Sequence, residues 1–262
     1  GEALLSPTGG ELFRPSLRRL VGSQEFVSSL SRWCLWIEND QLESAKQIPA
    51  IRERLDAVRE TRLKSTGKQS QDKANSPHRF VYTPHQETRS LVVPSITSEN
   101  RQYLPVGLAD GQTIISNKAA VIYDPPLWAL SLVASRLHWV WIGTVCVRLE
   151  TRFSYSNTLG WNTFPVPTLT EQNKADLTAC AEEILLAREA HFPASIADLY
   201  DPESMPEDLR RAHERSDEVL ERIYIGRKFK NDTERLEKLF DLYTKMTVTA
   251  KPSAKKVARR KA

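Results

Sequence analysis

Near residue 168 the hydrophobic period of this chain changes, which divides what it can fold into. Beyond that point, apolar residues recur at helical spacing. "MPEDLRRAHERSDEVLERIY" carries Leu209, Ala212, Val219, Leu220 and Ile223, and "NDTERLEKLFDLYTKM" carries Leu236, Leu239, Phe240 and Tyr243. Pro206 falls at a first-turn position, where its missing N–H leaves nothing unpaired. Thr168 with Glu171 predicts a capping box for a helix running towards His191. Upstream the pattern differs. "RFVYT", "RSLVVPSI", "RQYLPVGL" and "QTIISN" are short β-branched or aromatic runs cut by Pro, Gly and Asn, and "RWCLWI" reads as a further strand. Leu127 to Ile142 predicts one buried helix. "IPAIRERLDAVRETRLKST" places Ile51, Leu55, Val58 and Leu63 at helical spacing, and the polar "KSTGKQSQDKANSPHR" after it reads as a loop. The fold class expected is α+β.

Composition narrows the function classes. With 262 residues, 40% hydrophobic and 27% charged, the chain has the apolar content of an ordinary globular protein. A net charge of +4 permits a polyanionic partner without demanding one. Cys34, Cys146 and Cys180 are far apart with no C-x-x-C, which suits a reducing cytoplasm and argues against zinc and disulfides. Arg136 and His138 interrupt the longest apolar run, so no membrane partner is expected. The chain begins at Gly1 without methionine and reads as a fragment of a longer polypeptide.

Catalytic constellations are thin. Asp124-Pro125-Pro126 suggests the D/N/S-P-P-aromatic loop of enzymes that methylate an exocyclic base amine. Leu127 follows, however, and offers no π face for a flipped base. No G-x-G is present to let backbone approach a cofactor. A proline pair leading into a helix accounts for the stretch. Neither H-E-x-x-H, G-x-S-x-G nor a P-loop occurs. No catalytic, cofactor-binding or metal-ligating residue is expected in this chain.

Recognition chemistry is better represented. In "VCVRLETRFSYS", Arg148, Glu150, Arg152 and Ser154 alternate, and an extended segment would project all four from one face. Glutamate accepts from the cytosine amine, and arginine is the usual bidentate reader of guanine. A solvent-facing strand with balanced charges has the same spacing. Similarly, Arg52, Arg54, Arg59, Arg62 and Lys64 on the helix near residue 55 suit either a solvated face or phosphate contact.

Several stretches taken together resemble the C-terminal part of the MmeI-like (type IIL) restriction-modification DNA methyltransferases. They are "FRPSLRRLVGSQEF", "RWCLWI", "RERLDAVRETRLKS", "VPSITSENRQYLPVG", "SRLHWVWIGTVCVRLETRFSYS", "WNTFPVP", "ADLYDPESMPEDLRRAHERSDEVLERIY" and "RLEKLFDLY", spanning residues 13 to 244 in family order. The resemblance implies a DNA target-recognition domain over 1–167, a C-terminal helical domain over 168–247 and a basic, disordered tail over 248–262. The R-L-E-x-R-x-x-Y stretch matches at Arg148, Glu150, Arg152 and Tyr155. It implies base reading by Glu150, Arg152 and Ser154, with further reading positions at Asn117, Lys118 and Ser95. Arg52, Arg59, Arg62, Lys64 and Lys68 would then contact phosphates. The implied partners are double-stranded DNA and an adenine-N6 methyltransferase domain of the same polypeptide, which would bind S-adenosylmethionine in a prokaryotic cytoplasm, with or without an accompanying nuclease. The family's glycine-rich cofactor loop and N-P-P-F/Y motif have no counterpart here. The alternative is a helical and β scaffold that binds no nucleic acid.

Overall fold

The computed structural model describes residues 16–82 and 85–250. In chain order the elements are β1 (Leu17–Val21), α1 (Ser23–Val27), β2 (Trp33–Leu35), α2 (Leu42–Lys46), α3 (Pro49–Leu63), α4 (Lys68–Asp72), β3 (Ser90–Pro94), β4 (Ile96–Ser98), β5 (Gly107–Ala109), β6 (Ile114–Ile115) and β7 (Ala119–Tyr123). They continue with α5 (Trp128–Val133), α6 (Arg136–Val145), β8 (Val147–Leu149), β9 (Arg152–Ser154), α7 (Glu171–Glu189), α8 (Ile196–Leu199), α9 (Glu207–Ile225) and α10 (Asp232–Ala250). Three small sheets form, ordered β2-β1-β6, β5-β3-β7 and β4-β9-β8, and the architecture is α+β.

Contacts divide the chain into two compact units. One gathers residues up to Ser95 with Pro105–Pro125 and Ser195–Asp198. Here β3 is buried along its whole length, because its Leu-Val-Val run is paired on both edges, antiparallel to β5 and to β7. Val92 packs with Val21, Ile115 and Ala119. A second cluster forms where α3 presents Ile51 and Leu55, four residues apart, to Ile37 and Ala45.

The other unit gathers Ile96–Leu104, Pro126–Ala194 and residues from Leu199 onward. Its core joins Leu132 of α5, Leu137 and Trp141 of α6, Leu177 of α7, Leu220 of α9 and Leu239 of α10. Tyr224 donates its hydroxyl to the Pro165 carbonyl at 2.8 Å. Glu221 is buried and accepts from the Phe229 N–H at 2.8 Å and from Nε and Nη2 of Arg235 at 2.8 and 2.6 Å.

Several expectations are corrected. "RFVYT" forms no strand through Tyr82: Phe80 stacks on Trp36 instead, with centroids 5.9 Å apart, and Thr83 lies outside the described residues. "RQYLPVGL" is extended only at its end, since Tyr103 turns inward to stack on His213 at 4.2 Å. The apolar stretch from Leu127 is two helices, because Ser135 adopts extended backbone and its hydroxyl accepts from the His138 N–H at 3.1 Å, capping α6. The α7 cap is Thr170 with Asn173, two residues beyond the expected pair. The expected loop after α3 contains α4, while β1 and β7 arise where no strand was expected. Helix α10 runs through Ala250, and the basic residues from Lys251 lie outside the described residues. Among the described residues, no helix is long and apolar enough to cross a membrane.

Glu221→Ala is expected to destabilise the protein by about 3–5 kcal/mol, because it leaves the Arg235 guanidinium without its buried partner. A urea unfolding midpoint equal to that of the wild type would refute the account.

Candidate nucleic-acid interface

The segment expected to project four polar groups from one extended face is instead a hairpin. Strands β8 and β9 pair antiparallel with Leu149 opposite Arg152, leaving Glu150 and Thr151 as a two-residue turn. Glu150 has φ of 56°, the left-handed region favoured at such turns. Arg148 stands opposite Phe153, and directly opposed residues share a face. Arg148 therefore belongs to the face of Phe153, its guanidinium 5.0 Å from that ring and paired with Glu99. It leaves the row that alternation predicted.

What remains is a consistent outward face. Phe153 is buried, edge-on to Trp139 at 5.1 Å and against Gly143, where a Cβ would lie 3.2 Å from the ring. Across from it, Thr97 of β4 is buried too. The opposite face must therefore carry Arg152 and Ser154, with Ser98 and Ile96 across on β4 and Leu149 and Val147 on β8. Arg152 donates from Nη2 to Glu150 Oε2 at 2.7 Å, and both side chains are exposed. Acceptor and donor thus sit side by side, with free hydrogen-bonding capacity on each.

Ser95, Asn117 and Lys118 fall in the other unit. Asn117 and Lys118 occupy the exposed turn between β6 and β7, closed by the Ala119 N–H on the Ser116 carbonyl at 3.1 Å. Ser95 follows β3 and gives its N–H to Ser23 Oγ at 2.8 Å. Ser23 also donates its hydroxyl to the Lys118 carbonyl. The structure therefore brings Ser95 and Lys118 together through Ser23, which sequence reasoning missed. The only available signal was the Gly-Ser pair before Glu25: Glu25 accepts from the Gly22 N–H at 2.9 Å. Burial raises that carboxyl, but hydrogen bonds from its own N–H, Arg32 and the Gly22 N–H hold it below the usual range.

The five expected phosphate-contacting residues do not share one face. Arg52 and Arg59 are seven residues apart, about two turns, so both stand on one exposed flank of α3. Arg62 follows Leu55 by the same interval and lies over the buried side. Its Nη1 donates to the carbonyls of Lys73 and Ser76, both at 2.9 Å, and its Nη2 to that of Arg79 at 2.7 Å. Partial burial lowers its pKa. Arg62 ties the segment after α3 to the helix, which is a different role from the one expected. Lys64 is exposed and lies 3.8 Å from Glu60, and Lys68 is exposed at the start of α4.

Asp124 is exposed, with φ of 46°, and its N–H donates to the Arg89 carbonyl at 2.9 Å, a strand-end turn that Asp tolerates. Helix α5 begins only at Trp128. Among the described residues, no group of three His, Cys, Asp or Glu is placed to hold a metal ion. His138 is fully buried against Phe164, and desolvation brings its pKa down to about 3, so it stays neutral.

An α+β body with exposed donor-acceptor groups on a strand face and at tight turns describes a recognition module. Comparison with known proteins names the family. The model of the MmeI target recognition domain matches residues 10–168, and that of the MmeI C-terminal domain matches residues 169–251. The chain belongs to the MmeI family. It is 41% identical over 233 residues to DNA methyltransferase A of Bacillus subtilis (strain 168), covering 89% of this chain and 26% of that protein. It also resembles the solved type IIL restriction-modification enzyme MmeI in complex with DNA. The TM-score is 0.86 and the identity 35%, covering 90% of this chain and 32% of that one. The chain thus spans about a quarter to a third of these relatives.

Arg62 and Arg59 are expected to separate in stability measurements. Arg62→Ala removes three hydrogen bonds and should cost about 1–3 kcal/mol, with faster amide exchange over residues 64–79, whereas Arg59→Ala should stay within about 0.5 kcal/mol of wild type. Equal effects would mean that the Arg62 clasp carries no stability.

Proposed function

We propose that this chain is the DNA-recognition part of a site-specific adenine-N6 DNA methyltransferase of the restriction-modification kind. Residues 1–167 read the target, and the helical residues 168–247 support them. The observation that carries this reading is the exposed Glu150–Arg152 pair at 2.7 Å, the glutamate in the hairpin turn and the arginine on the outward face of the β4-β9-β8 sheet. Glu150 only accepts, which suits a cytosine amine. Arg152 only donates, which suits guanine O6 and N7 or orients the glutamate. Ser154 lies on the same face and adds a hydroxyl that both donates and accepts. Asn117, Lys118 and Ser95 supply a second reading group.

Phosphate contact is assigned to Arg52, Arg59, Lys64 and Lys68, which would fix register without reading sequence. Arg62 drops out because its donors are committed to carbonyls. A methyltransferase domain elsewhere in the same polypeptide would bind S-adenosylmethionine, flip the adenine and transfer the methyl group. This chain supplies the duplex grip that decides which adenine is presented.

Affinity for target duplex should fall steeply with salt. Arg52→Ala with Arg59→Ala should weaken target and mixed-sequence duplexes alike, lowering the slope of log K against log salt by about 0.9 for each lost contact. A salt-independent affinity would favour a protein-binding scaffold, and altered discrimination would make these residues base readers.

Exchanging the pair, Glu150→Lys with Arg152→Asp, should redirect the preferred base pair at one site position, where each contact discriminates by about 1–3 kcal/mol. Thermal stability should be unchanged, since neither side chain is buried. Methylome sequencing of cells expressing the full-length variant reads this directly. An active variant with an unchanged motif would leave the pair a surface charge balance.

A further inference from the structure

The link between β1 and α1 carries more hydrogen bonds to other parts of its unit than a helix start requires. Val21 accepts from the Ser116 N–H at 2.8 Å, and the Ser23 N–H donates to the Lys118 carbonyl at 3.3 Å. The Ser23 hydroxyl donates to the same carbonyl and accepts from the Ser95 N–H at 2.8 Å. Gly22 makes room for this approach: a Cβ there would lie 2.9 Å from Ser116 Oγ and 3.1 Å from Lys118 Cβ. Ser23 is the first residue of α1, and none of its side-chain bonds caps that helix. Its hydroxyl is spent on joining two distant loops.

We propose that Ser23 is a positioning residue for DNA reading, fixing the Ser95 loop and the Asn117–Lys118 turn in one arrangement. The inference rests on the target-recognition reading above. A hydroxyl has one proton to give and lone pairs to accept with, and this bridge uses both capacities. Alanine can do neither, while threonine can do both. The backbone bonds at Val21 and at the Ser23 N–H survive replacement of the side chain, so Ser23→Ala should fold. What it loses is the register between the two loops, a register that base discrimination needs and stability does not.

The test is selection of randomised duplexes by the full-length protein, followed by sequencing, with unfolding midpoints measured on each variant. Ser95→Ala and Lys118→Ala first mark the site positions that these loops read. Ser23→Ala should then blur base preference at those positions by about tenfold, leaving the position read by Glu150 and Arg152 sharp. Ser23→Thr should restore the wild-type profile. Gly22→Ala, whose Cβ would press on Ser116 Oγ, Lys118 Cβ and Glu25 Oε2 while leaving the hydroxyl in place, should blur the same positions. An unchanged profile in folded Ser23→Ala, a uniform loss at every position, or failure of threonine to rescue would each overturn the assignment. A wild-type protein without base preference would remove the recognition reading and this inference together. A sharp wild type that Ser23→Ala leaves intact would remove only the role of Ser23.

Discussion

The burial of Phe153 governs what the β4-β9-β8 sheet can present. A strand alternates its faces, so one inward residue decides the direction of its neighbours. Phe153 lies against Trp139 and the bare backbone of Gly143 on α6, opposite the buried Thr97. Arg152 and Ser154 then have no choice but to face outward. The same alternation, carried across the ladder, turns Arg148 back onto the Phe153 ring. A slip of one residue would bury an arginine and expose the ring, so hydrophobic burial and exposure of the polar pair are one constraint.

The arginines show why charge counts alone do not assign roles. Arg62, Arg59 and Arg152 are the same group in three settings. Arg62 is surrounded by carbonyls and works as a fastener. Arg59 stands on an exposed flank of the same helix, away from those carbonyls. Arg152 is turned outward by the pleat and paired with an exposed acceptor, Glu150. Seven-residue spacing on α3 already contained part of this distinction, since Arg62 repeats the position of the buried Leu55. The carbonyls that complete it come from residues 73–79, whose path no local pattern specifies.

Legibility followed the range of the determining interaction. Helices α3, α7, α9 and α10 were readable because their apolar spacing is local, and the α+β class follows from that spacing beside the short β runs. The break at Ser135 was missed because no glycine or proline marks it, and Arg136 and His138 were read only as interruptions of one apolar run. The hairpin was misread as one strand because its turn uses Glu150 and Thr151 rather than glycine or asparagine, the residues that announce such turns. At the candidate site, the residue types at 150, 152 and 154 were legible from alternation and from family resemblance. Ser23 was not, since its partners lie 72 and 95 residues away in sequence.

The hairpin separates what must be kept from what can vary. Phe153 and Tyr155 are buried; they pack on Trp139 and His138 of α6, so changing either would open a cavity at the helix surface. Arg152 and Ser154 alternate with them along the strand, and Glu150 stands beside Arg152 in the turn. Glu150 gains further freedom from the turn, because its side chain direction is set by left-handed backbone rather than by the pleat. That conformation costs an L residue about 1–2 kcal/mol, a strain that a glycine would relieve while losing the carboxylate. The same division allows the polar trio to be exchanged for other donors and acceptors while the aromatic anchors, and with them the hairpin's position on α6, stay constant.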